Sequence, residues 1–142
     1  MEVFQVPAAT LGIAGCEAPF DGSIAFGIRD GGGSSLWLIL RFGRHGLLEP
    51  TVECYTSEDH SFPDEEFLRD EAPVLIAAAS PENWATLQEA TDERFQHAVL
   101  HGDFELGGNF GRYRQHLAWL LESKHLLALP ADAKGFADRY RP

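Results

Sequence analysis

The sequence predicts an α+β fold, in which a five-stranded, mostly antiparallel sheet carries its helices on one face. Two observations carry this prediction. Four segments with strand-like patterns precede the helical ones, and a fifth such segment separates the second predicted helix from the third. A run of strands before the helices is typical of helices gathered on one face of an antiparallel sheet. The 142 residues suit one domain that buries a sizeable core without a disulfide or a metal.

The predicted sheet begins with a hairpin. Residues 24–28 alternate apolar with small residues, which is typical of a half-buried strand. The glycines of segment 30–34 allow the positive φ angles of a hairpin turn. Leu36–Phe42 is apolar on both faces, so we expect a central strand that is covered on each side. A third strand is predicted near Thr51–Tyr55.

A polar and strongly acidic segment, residues 56–72, separates the third strand from the fourth. It is predicted to be a surface loop with a short helix at Asp64–Arg69. Val74–Ala79 is predicted to be the fourth strand. The first helix after it begins at Ser80 and Pro81, because serine is a preferred N-cap and proline suits the first helical position.

The later helices flank the fifth strand. The second helix is predicted to begin at residues 91–93 and to end at Gly102, since glycine favours helix C-termini. Phe104–Leu106 is predicted to be an amphipathic fifth strand. A long third helix begins at Asn109 and ends near Pro130, with an apolar stripe along its inner side. The stripe consists of Phe110, Tyr113, Leu117, Leu120 and Leu121.

The two ends of the chain lack such patterns. Residues 1–20 are predicted to be an N-terminal arm, strand-like around Glu2–Val6, and residues 128–142 a C-terminal tail. The longest apolar stretch is much shorter than the ~20 residues that span a bilayer. The first residues show no basic patch before an apolar run. We therefore expect a cytoplasmic protein, in which Cys16 and Cys54 are free thiols.

The charge pattern excludes one class of partner. The net charge is −11, from 22 acids and 11 bases, so the chain lacks the basic face that nucleic acid requires. Residues 109–142 are nonetheless locally basic. This segment suits at most a transient contact with an anionic membrane or an acidic partner, and a solvated surface explains it more simply.

Two histidines have a spacing that occurs in metal sites. His97 and His101 are four apart on a predicted helix, so both imidazoles can face one ion. A third ligand would come from Asp92, Glu93 or Asp103. The pattern lacks the glutamate that follows the first histidine in zinc proteases, and an imidazole at a helix end also suits the helix dipole. We therefore predict no metal and no other cofactor.

Three polar residues are the strongest catalytic candidates. His101, Asp103 and Glu105 fall on one side of the fifth strand, because side chains alternate along a strand. A histidine beside carboxylates can serve general acid–base chemistry. The solvated face of an amphipathic strand explains these residues more simply, so we predict no catalytic residue. A small-molecule enzyme or biosynthetic accessory protein that uses them stays an alternative.

Two weaker patterns have simpler structural explanations. Cys54 with His45 or His60 resembles a nucleophile pair, but a cysteine in a strand usually packs as a small apolar residue. The glycines of segments 31–33 and 107–111 suggest phosphate binding, yet no Walker lysine or dinucleotide fingerprint accompanies them. Turns and helix caps account for these glycines.

Apolar side chains are predicted to converge between the sheet and its helices. They are core residues if that layer is filled, and the wall of a ligand cavity if it is not. The residues that we predict to bind a ligand are Phe26, Leu38, Leu40, Trp84, Phe95, Phe104, Leu106, Tyr113, Leu117 and Leu120.

Three segments carry a resemblance to a known family. They are the hairpin DGSIAFGIRDGGGSSLWLILRFG, the strand-to-helix joint PVLIAAASPENWATL and the helix–strand–helix sequence RFQHAVLHGDFELGGNFGRYRQHLAWL. In their order and patterns they resemble the sterol carrier protein 2 family of lipid-binding domains. On this basis residues 21–127 form the family-like core of a single domain that spans residues 1–142.

The resemblance implies a non-catalytic carrier or storage protein with an apolar tunnel for a sterol, a fatty acid or an acyl chain. The chain departs from the family in two places. Residues 1–20 lack the helix that usually precedes the first strand, and residues 43–72 are longer and more acidic. We expect residues 136–140 or a second subunit to cover the sheet where that helix is missing. A homodimer, or an interaction module with a filled core, is therefore a further alternative.

Overall fold

One mixed sheet forms the centre of the protein. The computed structural model describes residues 2–13, 15–18, 20–30, 33–43, 46–47, 51–59, 62–87, 93, 97, 104–108, 119 and 124–140. The strands are β1 Glu2–Pro7, β2 Gly22–Arg29, β3 Ser35–Gly43, β4 Gly46–Leu47, β5 Thr51–Ser57, β6 Leu75–Ala79 and β7 Glu105–Gly108. The helices with described bounds are α1 Glu65–Glu71, α2 Pro81–Leu87 and α3 Lys124–Tyr140.

The main path of the sheet has six strands, in the order β1-β5-β3-β2-β6-β7, and the two-residue β4 pairs only with β3. Strands β2 and β6 are parallel, and the other neighbouring strands are antiparallel. The predicted α+β class is confirmed, and antiparallel pairing predominates. The predicted number of five strands is wrong, because β1 and β4 also pair with the sheet.

The first strand lies at one edge of the sheet and pairs with β5. Phe4 and Val6 are buried, whereas Val3 and Gln5 are exposed. This alternation is typical of a strand with one buried face. Residues 2–7 therefore belong to the sheet. The sequence predicts a strand or an arm around Glu2–Val6 and does not count this segment among the strands of the sheet.

One face of the sheet is covered by α2 and α3. The long helix α3 contacts α2 and the strands β1, β2 and β3. It contributes Leu126, Leu129, Ala133 and Ala137 to the larger of two core clusters. These residues recur every three or four positions, as expected for the inner stripe of a helix.

The helix α3 continues through a proline. Pro130 lies inside α3, although the sequence predicts a helix to end there. Residues 128–140, which the sequence predicts to be a tail, are therefore helical. A proline inside a helix costs about 3 kcal/mol because it removes a hydrogen bond and clashes with the preceding turn. The burial of the apolar stripe on the sheet outweighs that cost.

The opposite face of the sheet carries the second, smaller core cluster. Trp37 and Ile39 of β3 are buried there, and Phe62 packs against them. Phe67 of α1 packs on the same cluster, so α1 lies on the other side of the sheet from α2 and α3. The prediction that all helices lie on one face is therefore wrong for α1. The prediction that Leu36–Phe42 is covered on both sides is confirmed.

Side-chain caps fix the starts of the two short helices. Asp64 accepts a hydrogen bond from the Phe67 backbone N–H at 2.8 Å at the start of α1. Ser80 Oγ accepts one from the Asn83 backbone N–H at 3.2 Å, which confirms the predicted start of α2. Such caps satisfy N–H groups that have no partner within the helix.

Candidate functional site

Half of the predicted ligand-binding residues lie in the packed core. Phe26, Leu38, Leu40, Trp84 and Phe104 are buried in the larger cluster, and Leu106 is half-buried against it. The predicted residues Phe95, Tyr113, Leu117 and Leu120 lie outside the described residues.

The described part of this predicted wall is held together by aromatic contacts. The ring centroids of Phe26 and Trp84 are 5.4 Å apart, and those of Trp84 and Phe104 are 5.1 Å apart, both edge to face. Trp84 Nε1 also donates a hydrogen bond to the Gly27 carbonyl at 2.8 Å. These contacts fix Trp84 between β2 and the segment that leads into β7. They give these three aromatic side chains a packing role.

A pocket lies one row of side chains beyond this core, at the end of the sheet where β2 turns into β3. We call it the hairpin-end pocket. Its volume is about 270 Å³. It is lined by Ile28, Asp30, Ser34, Ser35, Leu36, Thr56, Ser57, Glu58, Pro81, Ala137 and Asp138.

The floor of the hairpin-end pocket follows from strand register. Ile28 of β2 pairs with Leu36 of β3, which in turn pairs with Thr56 of β5. These residues continue the alternation that buries Phe26 and Leu38 one row earlier, so they lie on the face that α2 and α3 cover. The floor is therefore apolar over β2 and β3 and carries one hydroxyl over β5.

The helices border the pocket with small side chains. Pro81 opens α2 on one side, and Ala137 lies near the C-terminal end of α3. Ala137 is buried in the larger cluster although it lines the pocket. A larger residue at this position would occupy the space above Leu36, because a side chain on the inner stripe of α3 faces the sheet.

The rim of the pocket is polar and acidic. Asp30 and Ser34 come from the turn between β2 and β3, Glu58 follows β5, and Asp138 belongs to α3. The Asp30 backbone N–H donates to the Ser34 carbonyl at 2.9 Å, and this bond closes the turn. Among the described lining residues there is no lysine or arginine. The rim therefore presents carboxylates and hydroxyls to a molecule that rests on the apolar floor.

Sequence reasoning missed this site, although its floor residues belong to predicted strands. Ile28 and Leu36 sit at the two ends of the hairpin alternation, where a pattern predicts partial burial and nothing more. The missing information is the position at which α3 passes over the sheet. Because Pro130 is predicted to end a helix, the sequence does not predict the helical stretch that carries Ala137.

The other face of the sheet carries a network of charges. Arg41 Nη2 lies 3.1 Å from Glu53 Oε1 and 2.6 Å from Glu71 Oε1. Tyr55 donates its hydroxyl to the same Glu53 carboxylate. The hydrogen bond to Glu71 is the main reason that the pKa of Arg41 is raised. The network joins β3 and β5 to α1.

A second pocket, of about 380 Å³, lies beside this network and is lined by Arg41, Tyr55, Phe62, Phe67 and acids of α1. Arg41 and Glu71, which could hold a ligand there, already bind each other. We therefore assign the network a structural role, which is to hold α1 on the sheet.

Replacing Glu53 with glutamine is expected to destabilise the fold at neutral pH by about 1–2 kcal/mol, because the hydrogen bonds from Arg41 and Tyr55 then reach a neutral amide oxygen and not a charged carboxylate. Burial tends to raise the pKa of Glu53, but hydrogen bonds from Tyr55 and Arg41 outweigh it, so this pKa lies below its ordinary value of 4.5. A carboxylate with a lowered pKa stabilises the fold above the ordinary pKa. That contribution is lost as the pH falls through the lowered pKa.

Urea unfolding at a series of pH values checks this expectation. The difference in free energy of unfolding between the wild type and Glu53→Gln should be constant above about pH 5 and shrink in acid. Glu65→Gln, at an exposed position of α1 outside this network, is the control and should change the free energy of unfolding less than Glu53→Gln does. A difference for Glu53→Gln that is the same at every pH would contradict the assigned network.

The structure describes only some of the residues that the sequence suggests for catalysis or metal binding. Glu105, predicted as a catalytic alternative, is exposed and forms an ion pair with Arg29 at 2.9 Å. His97 is exposed, whereas His101 and Asp103 lie outside the described residues. In the described part of the chain no group of three or more histidines, cysteines or acids is placed to hold a metal ion.

Both cysteines are buried free thiols, as predicted. Burial raises the pKa of Cys54 to about 12. Burial, helped by the nearby Glu17, also raises the pKa of Cys16. A thiol with a raised pKa is a poor nucleophile, because the thiolate is the reactive form. The suggested partners of Cys54, His45 and His60, lie outside the described residues.

Comparisons with known proteins assign no family to this chain. No family model matches the chain, and searches of curated proteins and of solved structures found no match. Among the described residues, no helix is long and apolar enough to cross a membrane.

Proposed function

We propose that this protein binds a small hydrophobic molecule in the hairpin-end pocket and carries or stores it without chemical change. The observation that carries the proposal is the pocket itself, in which Ile28, Leu36, Pro81 and Ala137 present apolar surface at the end of a packed core. Mostly apolar concave sites with a few polar groups at the edge are typical of small-molecule binding.

The volume of the pocket limits the ligand. About 270 Å³ is slightly less than the ~300–1,000 Å³ of sites for drug-sized molecules. A single aromatic ring or a short alkyl chain suits this space better than the fused rings of a sterol. The proposed ligand is thus hydrophobic, as the resemblance to the sterol carrier protein 2 family implies, but it is smaller than a sterol.

The packing behind the pocket also favours a small ligand. Phe26 and Leu38, in the next row of β2 and β3, are completely buried, with 0% exposure. Trp84 holds Phe26 in place through an edge-to-face contact. A guest at the hairpin end therefore rests against a filled layer, and binding needs no displacement of these side chains.

Titration with 3-phenylpropan-1-ol, a neutral molecule with one ring, tests the proposal. In NMR spectra of the ¹⁵N-labelled protein we expect saturable shifts of the Leu36 and Thr56 amides, with amides of β7 unaffected. Thr56→Phe fills the pocket and should weaken binding at least about tenfold, the loss expected when about 1.4 kcal/mol of contact is removed.

A matched control lies on the same strand. Thr51 is half-buried like Thr56 but does not line the hairpin-end pocket. Thr51→Phe should therefore bind the alcohol as the wild type does. Circular dichroism and thermal unfolding confirm that both variants fold. Equal binding by the wild type and Thr56→Phe, or no saturable shift near Leu36 with any molecule of this phenylpropyl skeleton, would contradict the proposal.

A further inference from the structure

We infer that the ligand of the hairpin-end pocket is a small hydrophobic amine, whose apolar part rests on the floor and whose ammonium group lies at the rim. This inference rests on the proposed function and adds the chemical class of the ligand. It depends on the arrangement of charges around an apolar pocket.

Three acidic residues line the pocket, each from a separate part of the fold. Asp30 lies at the end of β2, Glu58 directly follows β5, and Asp138 lies in the last turn of α3. The helix α3 contacts β2, and β3 pairs with both β2 and β5, so the fold brings these three acidic residues to one pocket. The apolar surface of Ile28 and Leu36 lies below them.

This arrangement distinguishes amines from other apolar ligands. Charges of one sign around a cleft with apolar walls concentrate the field at its mouth and raise the local concentration of ions of opposite sign. An ammonium at the rim therefore gains attraction, and a carboxylate in the same place is repelled. Hydroxyls of the rim and floor, such as those of Ser34 and Thr56, can accept hydrogen bonds from an ammonium group.

The geometry of the turn supports a defined site at the rim. Asp30 is held by two backbone hydrogen bonds, from its own N–H to the Ser34 carbonyl at 2.9 Å and from the Gly33 N–H to its carbonyl at 3.1 Å. The position of its backbone relative to Leu36 is therefore fixed by the hairpin. A carboxylate on a closed turn loses less conformational freedom on binding than one on an open loop.

Three molecules with the same phenylpropyl skeleton test the inference: 3-phenylpropylamine, 3-phenylpropan-1-ol and 3-phenylpropanoate. The ¹⁵N NMR titration described above gives a dissociation constant for each. We expect the amine to bind roughly tenfold more tightly than the alcohol, as expected from several exposed ion pairs acting together, and the acid to bind most weakly. The advantage of the amine should shrink as salt is added, because exposed charges are screened.

The outcomes separate this inference from the proposed function. If the alcohol binds and the amine binds no more tightly, the pocket is a small-molecule site and the amine inference is overturned. Tighter binding of the acid overturns it too. If none of the three molecules binds, the proposed function fails and the inference fails with it.

A pair of variants on one helix separates local attraction from net charge. Asp138 lines the pocket, whereas Asp132 is an exposed residue of the same helix that does not. Asp138→Lys and Asp132→Lys change the net charge equally. Asp138→Lys should abolish the preference for the amine over the alcohol, and Asp132→Lys should retain it. An equal loss in both variants overturns the inference, because it would show a general effect of charge.

Discussion

Replacing Trp84 with alanine is expected to lower the free energy of unfolding by about 3–5 kcal/mol, the usual cost of deleting a large buried aromatic side chain. Trp84 is 1% exposed and contacts Phe26 and Phe104 edge to face. The substitution would open a cavity between β2 and α2 and remove the indole N–H that donates to the Gly27 carbonyl. Because domains of this size are stable by only about 5–15 kcal/mol, such a loss is a large fraction of the total.

Two further variants identify the source of the effect. Trp84→Phe retains an aromatic ring but lacks the N–H that binds Gly27, so it should cost about 1–3 kcal/mol. Trp119 is half-buried and donates its own N–H to the Glu17 carbonyl at 3.1 Å, so Trp119→Ala is a control for loss of an indole nearer the surface. Urea unfolding followed by far-ultraviolet circular dichroism measures all three. Trp119 also packs edge to face on Phe20 and Phe42, but it is less buried than Trp84, so Trp119→Ala should cost less than Trp84→Ala. A cost of less than about 1 kcal/mol for Trp84→Ala would contradict the assigned role of Trp84 in the core.

The sequence predicts most of the central sheet because burial in a strand alternates locally. The strands that contain Ile24–Ile28, Leu36–Phe42 and Thr51–Tyr55 can all be read from neighbouring residues. Strand β1 is different. Phe4 and Val6 show the same alternation, but β1 pairs with β5, which lies more than forty residues further along the chain. No local pattern specifies such a partner, so an edge strand and an extended arm look alike.

The position of α1 bears on two sequence predictions that conflict with each other. A β3 segment that is apolar on both faces requires a cover on each side, whereas the order of elements predicts helices on one side only. The aromatic residues Phe62 and Phe67 lie within the acidic segment and supply the second cover. Two aromatic residues in an otherwise polar stretch are the local sign of this second cover. The strong acidity of the segment instead favours the prediction of a surface loop.

The sequence predicts the apolar layer beside the candidate site but not the site itself. Phe26, Leu38 and Trp84 are predicted to lie under the helices and are buried there, yet none of the predicted ligand-binding residues lines the hairpin-end pocket. Whether apolar side chains form a filled layer or a cavity wall depends on interatomic distances, which a sequence does not contain. The hairpin-end pocket exists because α3 extends past Pro130 and places the small Ala137 near Ile28 and Leu36. That extension is a tertiary effect, since proline by itself favours a helix end.

The second large expected effect concerns Gly27, in the middle of β2. A Cβ atom at this position would lie 2.7 Å from Cη2 of the Trp37 ring and 2.8 Å from Cζ2 and Cζ3. These atoms belong to a ring that is 1% exposed and packs on Phe62 at a centroid distance of 6.1 Å, so the ring cannot rotate into solvent. On the other side of the strand, the Gly27 carbonyl accepts the hydrogen bond from Trp84. One added methyl group therefore disturbs both core clusters.

We expect Gly27→Ala to cost about 3 kcal/mol, near the upper end of overpacking effects, although alanine normally suits a strand at least as well as glycine. Gly107→Ala in β7 is the matched control, because its Cβ would meet Ile76 Cδ1 at an ordinary 3.5 Å, and it should stay within about 0.5 kcal/mol of the wild type. Trp37→Leu removes the clashing ring, so Gly27→Ala should cost much less in that background. Such non-additivity is the signature of direct contact. Equal costs of Gly27→Ala with and without Trp37 would mean that the ring does not lie over this glycine.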